Sequence, residues 1–375
     1  QVLWPLFHYR LDLTSFNKRH FSGYERVNRL FAHKLSKLLK KNDLIWIHDY
    51  HLIPLGKELR NLGQKQVMGF FFHTPFPALE IMTALPFHGE LMEQLCAYDL
   101  IGFQTDNDLR AFVDYIRHEA GGRVVRNKHV EVYGYKFMIG VFPIGINPEH
   151  FAGPISDSRQ ITWMRKLKHR YGDIDWLIGV DRLDYSKGIN ERFRAFERLL
   201  DRYPGYRSHV TFIQITPPSR SDIPEYREVR HELEAEAGHI NGRFGEIDWL
   251  PINYINRSYT REQLAIFYRA SRIGLVTPFR DGMNLVAKEY VASQNPQDPG
   301  VLVLSRFAGA ARQLDSALIV NPFDFDSIAD TIARGLEMSL KERRERWDAM
   351  MKVLRRYDLA HWRDSYLRAL HHAGR

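Results

Sequence analysis

The amino-acid sequence predicts an α/β protein built of two Rossmann-like domains facing across a cleft. Three observations carry that expectation. Short apolar, β-branched-rich runs alternate with stretches of helical period along most of the 375 residues, the pattern of buried parallel strands joined by crossover helices. The alternation breaks at Pro143-Ile144-Gly145-Ile146-Asn147-Pro148 and restarts near Asp157, which marks a linker between two modules. Several strand candidates end in polar or charged residues, and ligands bind outside the carboxyl ends of the strands of an open parallel sheet.

Composition narrows the class. A hydrophobic content of 44% with 13% aromatics is globular, and the length suits two domains of about 150–200 residues each. No apolar run approaches the ~18 residues of a membrane helix, and no charged-then-apolar opening segment suggests a signal peptide. The single cysteine, Cys96, excludes an intrachain disulfide or a Cys-based metal cluster and fits a reducing cytoplasm. Net charge is +8, from 53 basic and 45 acidic residues. Much of it alternates along helical patterns such as 191–203 and 341–347, which are expected to be solvated faces carrying salt bridges. Neither nucleic acid nor membrane is an expected partner. Anionic small substrates account for the basic balance, and a homo-oligomer is compatible with it.

In chain order, 24–40 carries a helical stripe of Val27, Leu30, Phe31, Leu35, Leu38 and Leu39. A strand over 44–47 ends in His48-Asp49-Tyr50-His51, before a helix that Pro54 opens. A second strand, 67–72, ends at His73-Thr74-Pro75; a third, 100–103, ends at Gln104-Thr105-Asp106, where Asp106 is expected to cap a helix to about residue 118. A hairpin and strand follow over 130–141. Beyond the linker, helices are expected at 157–170, 190–203, 223–241, 260–270, 285–293 and 326–338. Strands are expected at 176–180, 210–215, 273–276 and 301–304. The final helical stretches, 340–356 and 360–372, have no strand between them. The predicted domains are 1–146 and 147–356, with 357–375 a helix packing back on the first domain through Trp362, Tyr366 and Leu370.

The chemistry concentrates at three strand ends of the second domain. After strand 273–276, Asp281-Gly282 supplies turn chemistry and Asn284 is a good N-cap for a helix from Leu285. That helix start offers unpaired N–H groups and a positive dipole end, a natural seat for phosphate. Glu289, about one turn in, suits two ribose hydroxyls, and Asp281 suits sugar hydroxyls. The same residues would also serve a purely structural turn. After strand 176–180, Arg182 and Lys187 place two cations on one loop. Facing the Leu285 helix they would form a diphosphate clamp that neutralises a departing diphosphate without a metal ion. Arg220 follows strand 210–215 on a proline-stiffened loop and suits a second anionic group, or else pairs with Asp222. Asp324-Phe325-Asp326 matches a metal-binding DxD pattern, but its place before a helix favours an N-cap. No metal site is expected, His48 and His51 lacking a third ligand.

These residues belong to long motifs: WPLFHYRLDL, IWIHDYHLIPL, GFFFHTPFP, EQLCAYDLIGFQTDND, IGVDRLDYSKG, RDGMNLVAKEYV and GVLVLSRFAGAA. In order and spacing, from Trp4 to the C-terminus, the chain resembles the trehalose-6-phosphate synthases, retaining glycosyltransferases of the two-Rossmann-domain type (GT-B). The resemblance implies transfer of glucose from UDP-glucose to glucose 6-phosphate, giving α,α-trehalose 6-phosphate and UDP, with no cofactor. It implies that Arg182 and Lys187 hold the diphosphate above the helix start formed by Leu285, Val286, Ala287, Lys288 and Glu289, with Glu289 on the ribose and the main chain near Tyr259 at the uracil. It implies that Asp281, Gly282, Met283, Asn284 and His73 hold donor-glucose hydroxyls. Asp49 would contact the acceptor glucose, Arg220 its phosphate, Trp4 would wall the acceptor pocket, and Thr74 would lie near the anomeric centre. Asp49, His73 and Asp281 are the residues assigned to catalysis.

One departure stands out. The family pattern opens with a strand, a glycine-rich loop for the donor and an arginine for the acceptor phosphate, and none of these precedes Gln1. The first domain is therefore expected to be incomplete at its N-terminus, the chain a fragment of a longer protein, and its activity alone weak. Rival expectations are the same transfer to glycerol 3-phosphate, a UDP-sugar epimerase on the same fold, and a non-catalytic sugar-phosphate sensor.

Overall fold

Leu44–His48, Val67–Phe71 and Leu100–Phe103 form β1, β2 and β3 of one sheet in the computed structural model, which describes residues 2–125, 128–153, 162, 172, 174–219 and 224–374. All four residues of β3 are buried, as an apolar run covered on both faces should be. The chain forms two compact units. One comprises Gln1–Ile144 and Ala360–Arg375, the other Gly145–Leu359.

The first unit carries a sheet of order β1-β2-β3-β6-β5-β4, with β4 Arg123–Val125, β5 His129–Val132 and β6 Tyr135–Val141. β1, β2, β3 and β6 are parallel, while β5 and β4 extend the edge antiparallel. The 130–141 hairpin is thus β5 and β6, turning through Tyr133 and Gly134, both at positive φ. Thr105 caps the helix Asp106–His118, its Oγ1 accepting from the Asp108 N–H at 3.2 Å. Asp106, the expected cap, is already in the first turn. Thr105 takes the role because its backbone is extended, the geometry a cap requires.

The predicted stripe over 24–40 departs from expectation in its outward face. The helix runs Lys18–Ser36 and buries Phe21, Asn28 and Ala32, whereas Val27, Leu30, Phe31 and Leu38 are exposed. Polar anchors set its rotation: the Tyr24 hydroxyl donates to the Tyr50 carbonyl at 2.5 Å, and the Asn28 amide donates to the His51 carbonyl at 3.1 Å.

The last helix, Leu359–Ala373, buries Trp362, Tyr366 and Leu370 at the i, i+4, i+8 spacing that makes one face. These pack against Phe71 and Leu100, and the Tyr366 hydroxyl donates to the Phe70 carbonyl at 3.0 Å. Close approach is possible because Gly69 and Gly102 face it: a Cβ on Gly69 would lie 2.4 Å from the Tyr366 oxygen, and one on Gly102 2.7 Å from its ring.

The second unit holds a fully parallel sheet of order β12-β11-β10-β7-β8-β9. Its strands are β7 Asp175–Val180, β8 Val210–Ile215, β9 Ile252–Ile255, β10 Ile273–Val276, β11 Val301–Ser305 and β12 Leu318–Val320. β9 and β12, absent from the sequence expectation, are edge strands of four and three residues with half-open positions; so short a run carries little periodic signal. Of the helix expected at 157–170, all but residue 162 lies outside the described residues. No described helix is long and apolar enough to cross a membrane.

Trp362 sits 4.9 Å from Trp46 and 5.2 Å from Phe71, centroid to centroid. Trp362→Ala should therefore destabilise the first unit by about 3–5 kcal/mol, read as a shift in its urea unfolding midpoint. A shift no larger than that of Leu359→Ala, whose side chain is exposed, would mean that this ring does not hold the helix.

Candidate active site

In the second unit the loop after β7 and the loop after β10 are bonded to each other. Asp184 caps the short turn Tyr185–Lys187, accepting from the Ser186 N–H at 3.0 Å. Gly188 then takes φ +61, and a Cβ there would meet the Thr277 carbonyl at 2.6 Å. Only glycine fits so tight a left-handed position. The Phe279 N–H donates to the Ser186 carbonyl at 3.0 Å. Lys187 reaches across this seam, its ammonium donating to Asp281 Oδ2 at 2.5 Å. Burial lowers the Lys187 pKa, but Asp281, Asp181 and Asp184 together raise it further, so it stands above the usual lysine value and the ammonium is charged. Arg182, more open, lies 3.3 Å from Asp184 Oδ2.

Asn284 caps the helix Leu285–Ser293 as expected, its Oδ1 accepting from the Ala287 N–H at 3.2 Å, while its amide donates to Asp281 Oδ2 at 3.0 Å. Its φ of +74 is an uncommon conformation for a non-glycine residue. The cap takes up the Ala287 N–H, so the helix start offers a ligand the N–H groups of Leu285 and Val286. Lys288 is buried, and its amine donates to Gln313 Oε1 at 2.6 Å. Burial lowers the Lys288 pKa to about 7. Met283 is also buried. Glu289 is pushed up to about 7 by burial, with Arg261 and the Tyr268 hydroxyl opposing. Tyr259 precedes Arg261–Ala270, with the Arg257 guanidinium 4.5 Å above its ring.

Arg192 was hidden from sequence reasoning by its charged surroundings. The helix Ile189–Arg202 was expected to be a solvated lace, yet Arg192 is fully buried. The overlooked signal was spacing: Arg192 shares one face with Phe196 and Leu199. Asp324 is an N-cap as expected, accepting from the Ser327 N–H at 3.0 Å, and Asp326 lies beside Arg198 and Arg202. Arg220 lies outside the described residues.

The first unit gathers its own cluster at the ends of β1 and β2. Asp49 adopts φ 67, ψ 166, a region otherwise left to glycine and costing about 1–3 kcal/mol. It is held there because its N–H donates to the Phe71 carbonyl at 2.8 Å and its carbonyl accepts from the Leu52 N–H at 3.1 Å. Asp49 Oδ1 accepts from the Thr74 hydroxyl at 2.9 Å and the Thr74 N–H at 3.2 Å, which leaves Oδ2 for a ligand. His73 Nε2 lies 3.0 Å from His48 Nδ1, so the two rings share one proton. Burial lowers the His73 pKa, with Asp49 opposing. His48 is the member of this pair that the motif did not single out. Trp4 lies on Leu3–Phe7, its ring 4.1 Å from His8 and 6.0 Å from Tyr50.

The second unit gathers a buried ammonium, a helix start and a carboxylate one turn beyond it, and the first unit gathers a strained aspartate beside two histidines. Comparison with known proteins gives the chain a family. The pattern of glycosyltransferase family 20 matches residues 1–372. A trehalose-6-phosphate synthase of Enterobacter sp. (strain 638) is 49% identical over 369 residues, covering 98% of this chain and 78% of that one. An α,α-trehalose-phosphate synthase (UDP-forming) of Burkholderia xenovorans, solved in complex with glucose-6-phosphate, is 49% identical at a TM-score of 0.95, covering 99% of this chain and 82% of that one. An E. coli structure described as bound with UDP-2-fluoro glucose is 48% identical at 0.95, covering 98% and 82%.

Glu289 also makes a pH prediction. Its folded pKa is raised from the usual 4.5 to about 7. The folded state therefore binds the extra proton, and the stability Glu289 contributes is present below 4.5 and lost as pH rises through about 7. Melting temperatures of the native chain and Glu289→Gln should diverge in favour of the variant across that window. A constant difference would show that the carboxyl is not desolvated.

Proposed function

This chain belongs to glycosyltransferase family 20, and we propose that it transfers glucose from UDP-glucose to glucose 6-phosphate, giving α,α-trehalose 6-phosphate and UDP with no metal required. The observation that carries the proposal is the seam between the β7 and β10 loops, where Lys187 donates to Asp281, the Asn284 cap of the Leu285 helix donates to the same carboxylate, and Arg182 lies on the Lys187 loop beside Asp184. The relatives of known ligand bind the same two substrate types, glucose-6-phosphate and a UDP-glucose analogue.

The second unit takes the donor. Lys187, Arg182 and the Leu285 and Val286 N–H groups hold the diphosphate, and the same fixed charges neutralise the negative charge that grows on it as the glycosidic bond breaks. Glu289 accepts from the ribose hydroxyls, the main chain at Tyr259 meets the uracil, and Asp281 with Gly282, Met283 and Asn284 addresses the sugar hydroxyls. In the first unit, His73 serves a donor-glucose hydroxyl, Asp49 Oδ2 holds the acceptor glucose, Trp4 walls it and Thr74 fixes Asp49. Arg220 is assigned to the acceptor phosphate on the resemblance alone. The buried, lone Cys96 fits a cytoplasmic setting.

Donor and product are both α at the transferred carbon, so configuration is retained. A double displacement would need a carboxylate on the β face of that carbon, and none is assigned. We assign same-face attack, in which the departing phosphate oxygen takes the acceptor's proton and Asp49 orients the hydroxyl.

UDP release from UDP-glucose with glucose 6-phosphate should proceed in excess chelator. Loss of release on chelation, restored by Mn²⁺, would overturn the metal-free clamp, and release with glycerol 3-phosphate alone would overturn the acceptor. Asp49→Asn should lower kcat by less than about tenfold while raising the acceptor KM, since an orienting group and not a general base is lost; a base would cost about 10²–10⁴-fold.

A further inference from the structure

We infer that Arg192 is a positioning residue for donor binding, and that its buried guanidinium sets the register between the two loops of the diphosphate seat. The inference rests on the donor assignment above and extends it to a side chain that touches no substrate. Arg192 is 0% exposed. From the helix Ile189–Arg202 it reaches back beneath the seam and bonds to four residues on three segments. Its Nε donates to Thr277 Oγ1, after β10, at 3.0 Å; Nη1 donates to Asp181 Oδ2, after β7, at 2.9 Å and to Gln214 Oε1, in β8, at 2.9 Å. Nη2 donates to the Lys187 carbonyl at 3.2 Å.

One planar group therefore fixes the ends of three neighbouring strands and the backbone of the clamp lysine. Gly179 makes room for it: a Cβ there would fall 2.4 Å from Arg192 Nη1 and 2.2 Å from Gln214 Oε1. Arg192 and Asp181 neutralise one another, so the effect on a bound diphosphate comes through position and not through added charge. The Lys187 ammonium is aimed by a backbone whose carbonyl Arg192 holds, and Arg192, held in turn by the Thr277 hydroxyl, links that carbonyl to the loop leading to Asp281 and Asn284. A lysine could keep the charge but not the fork of four bonds.

The test is UDP binding by titration calorimetry on the full chain, with melting temperatures and KM values in parallel. Arg192→Lys should weaken UDP on the order of tenfold, the scale of one misaligned charge-assisted hydrogen bond. It should raise the UDP-glucose KM similarly and leave the glucose 6-phosphate KM unchanged. Thr277→Val, nearly isosteric, should weaken UDP by about threefold or more, and Thr277→Ser, which restores the hydroxyl, should bind as the native chain does. These two keep the inference testable if Arg192→Lys does not fold. Native UDP affinity in Thr277→Val, with only a lowered melting temperature, would make the network a structural support and overturn the inference. Failure of the native chain itself to bind UDP would overturn the donor assignment beneath it.

Discussion

The ion pair between Lys187 and Asp281 joins positions 94 residues apart and makes one surface of two loops. Parallel strands bring their C-terminal ends to a common edge, but the loops that leave that edge are not bound to each other by the sheet. Here Lys187 to Asp281 and Phe279 to Ser186 supply the missing bonds, and Asn284 braces Asp281 from within its own loop. Asp281 fixes the Lys187 ammonium at the edge the two loops share. Preorganised charge of this kind costs no reorganisation when charge moves during reaction.

The arrangement relies on a polar layer between the seat and the apolar core. A buried guanidinium is costly unless every donor finds a partner, and Arg192 has four named acceptors. Lys288 shows the other outcome. Its amine donates to Gln313 Oε1, and burial brings its pKa down to about 7. Glu289, next in the helix, rises to about the same value. The two neighbours are displaced in opposite senses by the same dry surroundings.

The first unit stores backbone strain at the end of β1. Asp49 sits in a backbone region suited to glycine, and its side chain is locked by Thr74. Strain of this size persists only where the surroundings over-determine it, and here the β1–β2 ladder continues through the Asp49 N–H into Phe71. Behind that ladder, Trp362 and Tyr366 of the last helix back the sheet, with Trp46 stacked on Tyr366 at 4.4 Å. Residues from the far end of the chain thus support the strand ends where Asp49 and His73 emerge.

By itself the sequence determined the α/β alternation, most strand positions, the polar strand ends, the Asn284 and Asp324 caps and, through long motifs, the family. These are local facts: period, turn chemistry and capping are read within a few residues. Only the tertiary structure decided which face of Lys18–Ser36 turns inward, that Thr105 and not Asp106 caps its helix, and that the Ala287 N–H and the Lys288 amine serve the fold. It also decided that Arg192, in a run of alternating charge, is core. The two caps are local and turned on backbone geometry, whereas the others depend on partners far away in sequence, His51 for Asn28, Gln313 for Lys288 and Thr277 for Arg192, which no window of neighbouring residues contains.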